Sequence, residues 1–358
     1  MRIALLTPMK PPDHPVPSGD RTFARLIRAA LEAGGHDVVL PSTLRTWCRT
    51  PDDLAAVEAE ASAEVGRIAD TWLRGLAPDA ILTYHNYHKA PDLLGPPLAR
   101  LFGCPYAIVE ASRAEKRARG PWARGFALAD RALSIAGALG AVTEHDAAAL
   151  SAFAPDKVMR VPPFVDVAPF RVSAGRVPET LACAAMLRPG RKADSVRVLA
   201  DAYARIRAAR PGATLTLAGE GPERDALAPL FPPGTFCGLL DQEALADLFA
   251  RSSLFVWPAI DEPFGFAFLE AQAAGLPVVG GRSPGVVDIV RDGETGILVD
   301  PGDPDAIAGA VLSLFDDPAR LAAMSRNAAA FAAANDLAAG LSRLTELMKR
   351  AAMVGARP

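Results

Sequence analysis

The feature that most constrains this chain is a rhythm that runs twice: short apolar segments of strand length alternate with longer amphipathic stretches of helix length. In the first run, Ile3–Leu6, His36–Leu40, Ala80–Tyr84 and Pro105–Val109 read as strands, with weaker candidates at Ala141–Thr143 and Val158–Val161. Helices are expected at about Arg21–Glu32, closed by the Gly34-Gly35 pair, and at about Asp52–Leu73. Around Pro162-Pro-Phe-Val-Asp166 the rhythm stops, and it restarts at Leu181. The second run predicts strands at Leu181–Met186, Thr214–Ala218, Leu254–Trp257, Pro277–Val279 and Thr295–Val299. Its helices are Ser195–Ala209, Gln242–Arg251, about Phe266–Ala274, Asp303–Phe315, Pro318–Ala334 and Leu337–Met353.

Alternation of this kind predicts an α/β architecture with parallel sheets. With 358 residues the chain exceeds one small core and suits two domains of ordinary size. The expected division is residues 1–165, residues 166–335, and a C-terminal helix over 336–358 that packs back toward the first domain. The two doubly wound halves are expected to face each other across a cleft, because ligands of such sheets bind at the carboxyl ends of the strands.

Composition narrows the class. Half the residues are hydrophobic, 22% are charged and the net charge is only -3, so nothing favours nucleic acid as a partner. The four cysteines, Cys48, Cys104, Cys183 and Cys237, lack metal-ligand spacing and read as reduced thiols of a cytoplasmic protein. The N-terminal apolar run ends at Thr7, too short for a signal-peptide core, and no run approaches the roughly 18 apolar residues of a membrane span.

The most informative segment is Glu262-Pro-Phe-Gly-Phe-Ala-Phe-Leu-Glu270. It follows a predicted strand, carries two carboxylates with seven residues between them, and turns through Gly265 into a run of good helix formers. Bare N–H groups at a helix start suit phosphate, and the carboxylates accept hydrogen bonds from sugar hydroxyls, so a polyhydroxylated anion is the expected ligand. Were the segment wholly helical, the glutamates would stand roughly 12 Å apart. Leu187-Arg-Pro-Gly-Arg-Lys192 follows the first strand of the same half, and its cations Arg188, Arg191 and Lys192 read either as a diphosphate clamp or as a solvated loop. Gly219 and Gly221 form a wall of the nucleotide site or a plain turn.

In the first half, the long loop after the first strand has no dinucleotide fingerprint, which disfavours a nicotinamide enzyme. Ser18-Gly19-Asp20 reads as a phosphate-facing turn or as a capped helix start with Asp20 as the cap. His85 and Glu110 stand just past predicted strands on the ligand side and are candidate catalytic groups. Residues 113–126 interleave Arg113, Lys116, Arg117, Arg119 and Arg124 with Trp122 and Phe126. That pattern reads either as a solvated face or as a surface for an anionic acceptor or for lipid headgroups, which would place the protein peripherally on the inner face of a membrane.

Taken together, Glu262–Glu270, Gly275-Leu-Pro-Val-Val279, Asp292-Gly-Glu-Thr-Gly-Ile-Leu-Val299 and Ala218-Gly-Glu-Gly-Pro222 resemble the retaining glycosyltransferases of family 4, also called group 1, with the GT-B fold of two Rossmann-like domains. The likeness is strongest over Leu181 to about Asp317; the first half shares only the rhythm. The resemblance implies a UDP-, GDP- or ADP-linked sugar as donor, no cofactor and no required metal. The first domain would take the acceptor (a cell-envelope glycan, glycolipid or small molecule) and the second the donor. By the family pattern Glu270 holds the ribose hydroxyls, Glu262 the transferred sugar together with the N–H groups of Phe264, Gly265 and Phe266, and Arg188 and Lys192 the leaving phosphate. The chain departs from the pattern at Met186, where relatives commonly carry arginine, and at Glu110, where many have a histidine. A sugar-nucleotide epimerase or hydrolase, and a non-catalytic sugar-nucleotide-binding subunit, are the competing readings.

Overall fold

In the computed structural model, which describes residues 1–172 and 174–355, the chain divides into two compact units. Unit 1 comprises Met1–Pro163 and the helix Leu337–Gly355; unit 2 is Phe164–Asp336. Each unit is built on its own six-stranded parallel sheet.

Unit 1 runs β1 (Arg2–Leu6), α1 (Gly19–Ala33), β2 (Asp37–Val39), α2 (Leu54–Thr71), β3 (Ala80–Asn86), α3 (Gly95–Phe102), β4 (Tyr106–Ala111), α4 (Ala123–Ile135), β5 (Ala138–Ala141), α5 (Glu144–Phe153) and β6 (Val158–Arg160). Its sheet order is β2-β1-β3-β4-β5-β6, so the order reverses between β1 and β3. The inner strands are buried at all but one position each of β1 and β3 because helices cover both faces, which is why they read as largely apolar runs.

Unit 2 runs β7 (Thr180–Ala184), α6 (Arg191–Ala209), β8 (Thr214–Ala218), α7 (Arg224–Leu227), β9 (Phe236–Gly238), α8 (Gln242–Arg251), β10 (Leu254–Trp257), α9 (Phe266–Ala273), β11 (Val278–Gly281), β12 (Gly296–Val299), α10 (Pro304–Phe315) and α11 (Pro318–Ala334). The order β12-β11-β10-β7-β8-β9 reverses between β7 and β10. The last two helices start on Asp-Pro pairs: the Asp303 and Asp317 side chains accept from first-turn N–H groups, and proline fills a position that needs no donor.

The final helix, α12 (Leu337–Gly355), belongs to unit 1, where it packs against α1, β4 and β5. Leu344, Leu347, Met348 and Ala351 on its inner face are at most 4% exposed. Burying the Leu and Met side chains stabilises by about 1.5–3 kcal/mol each, so α12 completes a core begun at Ile3.

Four local expectations are corrected. The fifth strand is Ala138–Ala141, not 141–143; its Ala-Leu-Gly-Ala sequence has weak strand propensity and owes its place to burial between β4 and β6. Thr143 instead caps α5, accepting from the Asp146 N–H. Edge strand β9, three residues long, carries too short a pattern to read, and helices α3 and α4 were not foreseen. Helix α6 begins at Arg191 rather than Ser195, which moves Arg191 and Lys192 from a loop onto its first turn. None of the described helices is long and apolar enough to cross a membrane.

Candidate active site

In an open parallel sheet the carboxyl ends of strands flanking the order reversal splay apart and leave a crevice. In unit 2 those strands are β7 and β10. The segments leaving them are Ala185–Gly190 and Pro258–Gly265, the two stretches singled out in the sequence as cationic and carboxylate-bearing. Each feeds a helix, α6 and α9, whose N-terminus has no side-chain cap. First-turn N–H groups and the helix dipole at such ends favour an anion.

The segment after β10 is tightly wound. Ala259 (φ 54°), Asp261 (φ 49°) and Gly265 (φ 68°) all adopt left-handed backbone, which an alanine or aspartate adopts only at a cost of about 1–3 kcal/mol. Anchors hold it there: the Ile260 N–H donates to Ser195 Oγ at 3.1 Å, and the Ser283 hydroxyl donates to the Ala259 carbonyl. Because the helix starts only at Phe266, the segment is not wholly helical, and Glu262 lies before it while Glu270 lies on it. The Phe264 and Phe266 rings stack at 5.6 Å.

Glu262 is 7% exposed, and its carboxylate is engaged through one oxygen, Oε2. The Lys192 ammonium forms an ion pair with it, and Trp257 Nε1 donates to its Oε2 at 3.0 Å. The same ammonium sits 5.2 Å from the centre of the Trp257 ring. A lysine from the first turn of α6 and a tryptophan from the end of β10 thus fix the carboxylate between them. Trp257 escaped the sequence reading because it stood as the last residue of a strand; its place five residues before Glu262 was the available signal.

Glu270 has the opposite environment. It is half-buried, and its carboxylate has no hydrogen-bond or ion-pair partner among the described residues. Burial alone pushes its pKa up to about 7. A carboxyl group without a protein partner at the switch point is available to a hydroxylated ligand.

The remaining donor-side candidates divide. Arg191 pairs with Asp261 at 2.9 Å on an exposed surface, and Arg188 is half-buried at the end of the segment after β7. Gly219 and Gly221 have a packing role: a Cβ at Gly219 would lie 1.8 Å from the Ala185 carbonyl oxygen, and one at Gly221 2.2 Å from that of Leu187. Only glycine lets the turn after β8 press on the segment after β7, where the Leu187 N–H donates to the Glu220 carbonyl at 3.0 Å.

In unit 1 the reversal lies between β1 and β3. Ser18, not Asp20, caps α1, accepting from the Arg21 N–H at 3.3 Å, and Gly19 is the first residue of that helix. Asp20 is thereby freed to face His85, with Oδ1 3.7 Å from His85 Nδ1, while Glu110 Oε1 lies 3.1 Å from the same nitrogen. The donor atoms of Asp20, His85 and Glu110 lie within 4.8 Å of one another, a spacing that would also suit a cation. His85 (φ 73°) and Glu110 (φ 59°) occupy left-handed backbone on adjacent strands, between the paired positions Tyr84↔Val109 and Asn86↔Ala111. Backbone strain of this kind, in two residues side by side at the carboxyl ends of β3 and β4, makes the pair a candidate functional position.

Burial depresses the His85 imidazole, but Glu110, with Asp20 and Asp146, outweighs it, and the net shift is upward. Burial raises Glu110, which the His85 charge only partly offsets. The pair therefore holds a proton to higher pH than either group would alone.

The basic segment 113–126 is mostly committed within unit 1. Trp122 and Phe126 are each 8% exposed and face inward, so neither projects toward a membrane. Arg113 is paired with Asp130 and Glu115, and Arg124 with Glu58. Lys116 and Arg119 remain exposed, with Arg117 half-buried.

The two parallel six-stranded units with their flanking helices match the GT-B class of α/β fold seen in solved glycosyltransferase neighbours. Sucrose-phosphate synthase from Thermosynechococcus elongatus superposes over 98% of both chains with a TM-score of 0.74 at 20% identity. Anabaena Alr3699/HepE in complex with UDP-glucose superposes over 98% of this chain and 99% of its own with a TM-score of 0.71 at 18% identity.

Residues 178–317, which contain every site element of unit 2, match the family described as Glycosyl transferases group 1. The chain is 41% identical over 124 residues to the glycogen synthase of Mycobacterium tuberculosis strain H37Rv, covering 33% of this chain and 30% of that protein. It is 38% identical over 143 residues to the D-inositol 3-phosphate glycosyltransferase of Thermobispora bispora, covering 40% of this chain and 32% of that protein. The matches thus span about a third of the length of these relatives.

Proposed function

We propose that the chain is a retaining glycosyltransferase that moves a sugar from a nucleotide-sugar to an acceptor hydroxyl without a metal. The observation that carries this reading is the convergence, at the switch point of unit 2, of a fixed carboxylate (Glu262), an unpartnered one (Glu270) and two uncapped helix starts. The group 1 match over 178–317 and the UDP-glucose named for the HepE structure support a nucleotide-sugar as the ligand.

Each group then has a task. Glu270 binds the ribose hydroxyls. Glu262, oriented by Trp257, accepts hydrogen bonds from the transferred sugar, helped by the N–H groups around Phe264–Phe266. Lys192 and Arg188 supply positive charge where the departing phosphate accumulates negative charge, the role a metal would otherwise fill. The acceptor oxygen attacks the anomeric carbon on the face from which the nucleotide leaves. The carbon–oxygen bond to the diphosphate breaks, and the acceptor's proton passes to the leaving phosphate oxygen, so the configuration is retained. His85 and Glu110 of unit 1 are the proposed acceptor-side groups. The four free cysteines support a reducing, cytoplasmic location, and Lys116 is the exposed group that would meet lipid headgroups if the acceptor is lipid-linked.

The test is direct. UDP-, GDP- and ADP-sugars are screened for thermal stabilisation, since a ligand that binds only the folded state raises apparent stability. The stabilising donor is then assayed for transfer with wild type and Glu262→Ala. Loss of transfer with nucleotide binding retained is expected; unchanged turnover in the variant sinks the assignment. Donor binding without transfer to any acceptor in a broad screen would instead favour a non-catalytic binding subunit.

A further inference from the structure

The turn after β3 and the short helical turn after β4, Glu115–Arg117, leave the unit 1 sheet from neighbouring strands at its ligand end. Lys89, Lys116 and Arg117, carried by these two turns, all lie within electrostatic reach of His88. The group is partly organised: the Lys89 ammonium lies 5.1 Å from the centre of the Trp122 ring, and the His88 ring meets Trp122 at 5.5 Å and Tyr87 at 5.2 Å, edge to face. Among the described residues no carboxylate pairs with Lys89, Lys116 or Arg117; the nearby Glu115 is taken by Arg113. Two nitrogens of the cluster, Arg117 Nε and His88 Nε2, are shielded from solvent yet have no hydrogen-bond partner. Buried donors of this kind are satisfied in nearly all native structures, so a missing partner at such a place points to a ligand.

We propose that His88, Lys89, Lys116 and Arg117 form a subsite for a dianionic oxyanion of phosphate-monoester type. Resting on the function proposed above, this anion is a group of the acceptor, which makes the acceptor a phosphorylated one. Arg117 Nε and the imidazole donate directed hydrogen bonds, while Lys89 and Lys116 add charge.

The electrostatics of the empty cluster agree. Burial first, then Arg117, Lys89 and Lys116, lower the His88 pKa to about 4, so the imidazole is neutral at neutral pH. An anion bound among the same cations cancels their field, which raises that pKa and makes the imidazole a stronger donor.

The experiment titrates the full chain with inorganic phosphate and glycerol 3-phosphate, read by calorimetry and by the imidazole NMR signals of His88. In parallel, vesicles of phosphatidylcholine with and without phosphatidylinositol 4-phosphate are tested for sedimentation at low and high salt. Saturable phosphate binding with an upward shift of the His88 pKa is expected. The double variant Lys116→Gln, Arg117→Gln should weaken binding about tenfold or more, while Arg119→Gln, outside the cluster, should not. Vesicle binding that needs the phosphoinositide and is lost in the same double variant would also support the subsite and identify a lipid headgroup as its source. Absence of binding in both arms overturns the proposal, as does equal loss in Arg119→Gln, which would reveal a diffuse charge effect. The unliganded melting temperatures of the variants check that they fold. Because binding is read without turnover, this inference can fail while sugar transfer stands, and the converse also holds.

Discussion

Lys192 on the first turn of α6 is ion-paired with Glu262, seventy positions later, and Trp257 Nε1 donates to the same carboxylate oxygen at 3.0 Å. The carboxylate is held from two sides on a strained loop, so its position is set before any sugar arrives. Removing one member of a partly buried pair leaves an uncompensated charge. Lys192→Met should therefore lower unfolding stability by about 1–3 kcal/mol, short of a fully buried pair because Lys192 keeps 35% of its side-chain surface. Urea denaturation at pH 7 measures it; an unchanged midpoint would show that the pair contributes nothing.

Trp257→Phe separates orientation from charge. It keeps an aromatic ring, smaller than the indole, near the ammonium and deletes the hydrogen bond to Glu262. On the proposed mechanism kcat should fall by about tenfold, the cost of roughly 1.4 kcal/mol of transition-state stabilisation, with nucleotide affinity unchanged. A rise in KM alone would contradict the role given to Glu262.

Glu270 makes stability depend on pH with a definite sign. Its folded pKa of about 7 lies above the ordinary value of 4.5, so folding takes up a proton between those values. Stability attributable to this group is therefore highest below pH 4.5 and declines as pH rises toward 7. Glu270→Gln should remove that decline and stabilise the unliganded protein at pH 8 by about 1–2 kcal/mol, allowing for partial exposure of the group. The same variant should weaken nucleotide-sugar binding. Melting curves at pH 5 and pH 8 decide the first point and calorimetry the second.

The His85 and Glu110 pair can be interrogated by NMR. Glu110→Gln removes the main charge that holds the proton on His85 while burial persists, so the imidazole pKa should fall below its value in the wild type. An unmoved titration would mean that Asp20 and Asp146 suffice.

If transfer is metal-independent, as proposed, dialysis against EDTA should leave turnover unchanged. The close approach of Asp20, His85 and Glu110 makes this a pointed test: loss of activity restored by a divalent cation would reassign that cluster as a metal site.

Much of this was legible in the chain. Glu262, the cationic stretch at 188–192, His85 and Glu110 all lie at or just past carboxyl ends of strands, with Glu270 on the helix that follows Glu262. Other features were hidden. Trp122 and Phe126 alternate with cations in a pattern that reads as a membrane face, yet both are buried, because sequence spacing does not say which side of an irregular segment meets the core. Asp20 read as a helix cap, and only the structure shows Ser18 in that role and Asp20 turned toward His85.

What the sequence determined by itself was local in origin: where strands and helices form, that they alternate in two runs, and which stretch carries the group 1 motif. Run length and helical periodicity are properties of neighbouring residues, so they survive without a partner segment. Tertiary structure alone decided the strand orders, and with them the reversals that bring β7 beside β10 and β1 beside β3. It also decided that Lys192 meets Glu262 and that α12 closes the core of unit 1. These depend on burial and charge pairing between residues far apart in the chain, free energies that arise only once the sheets have assembled.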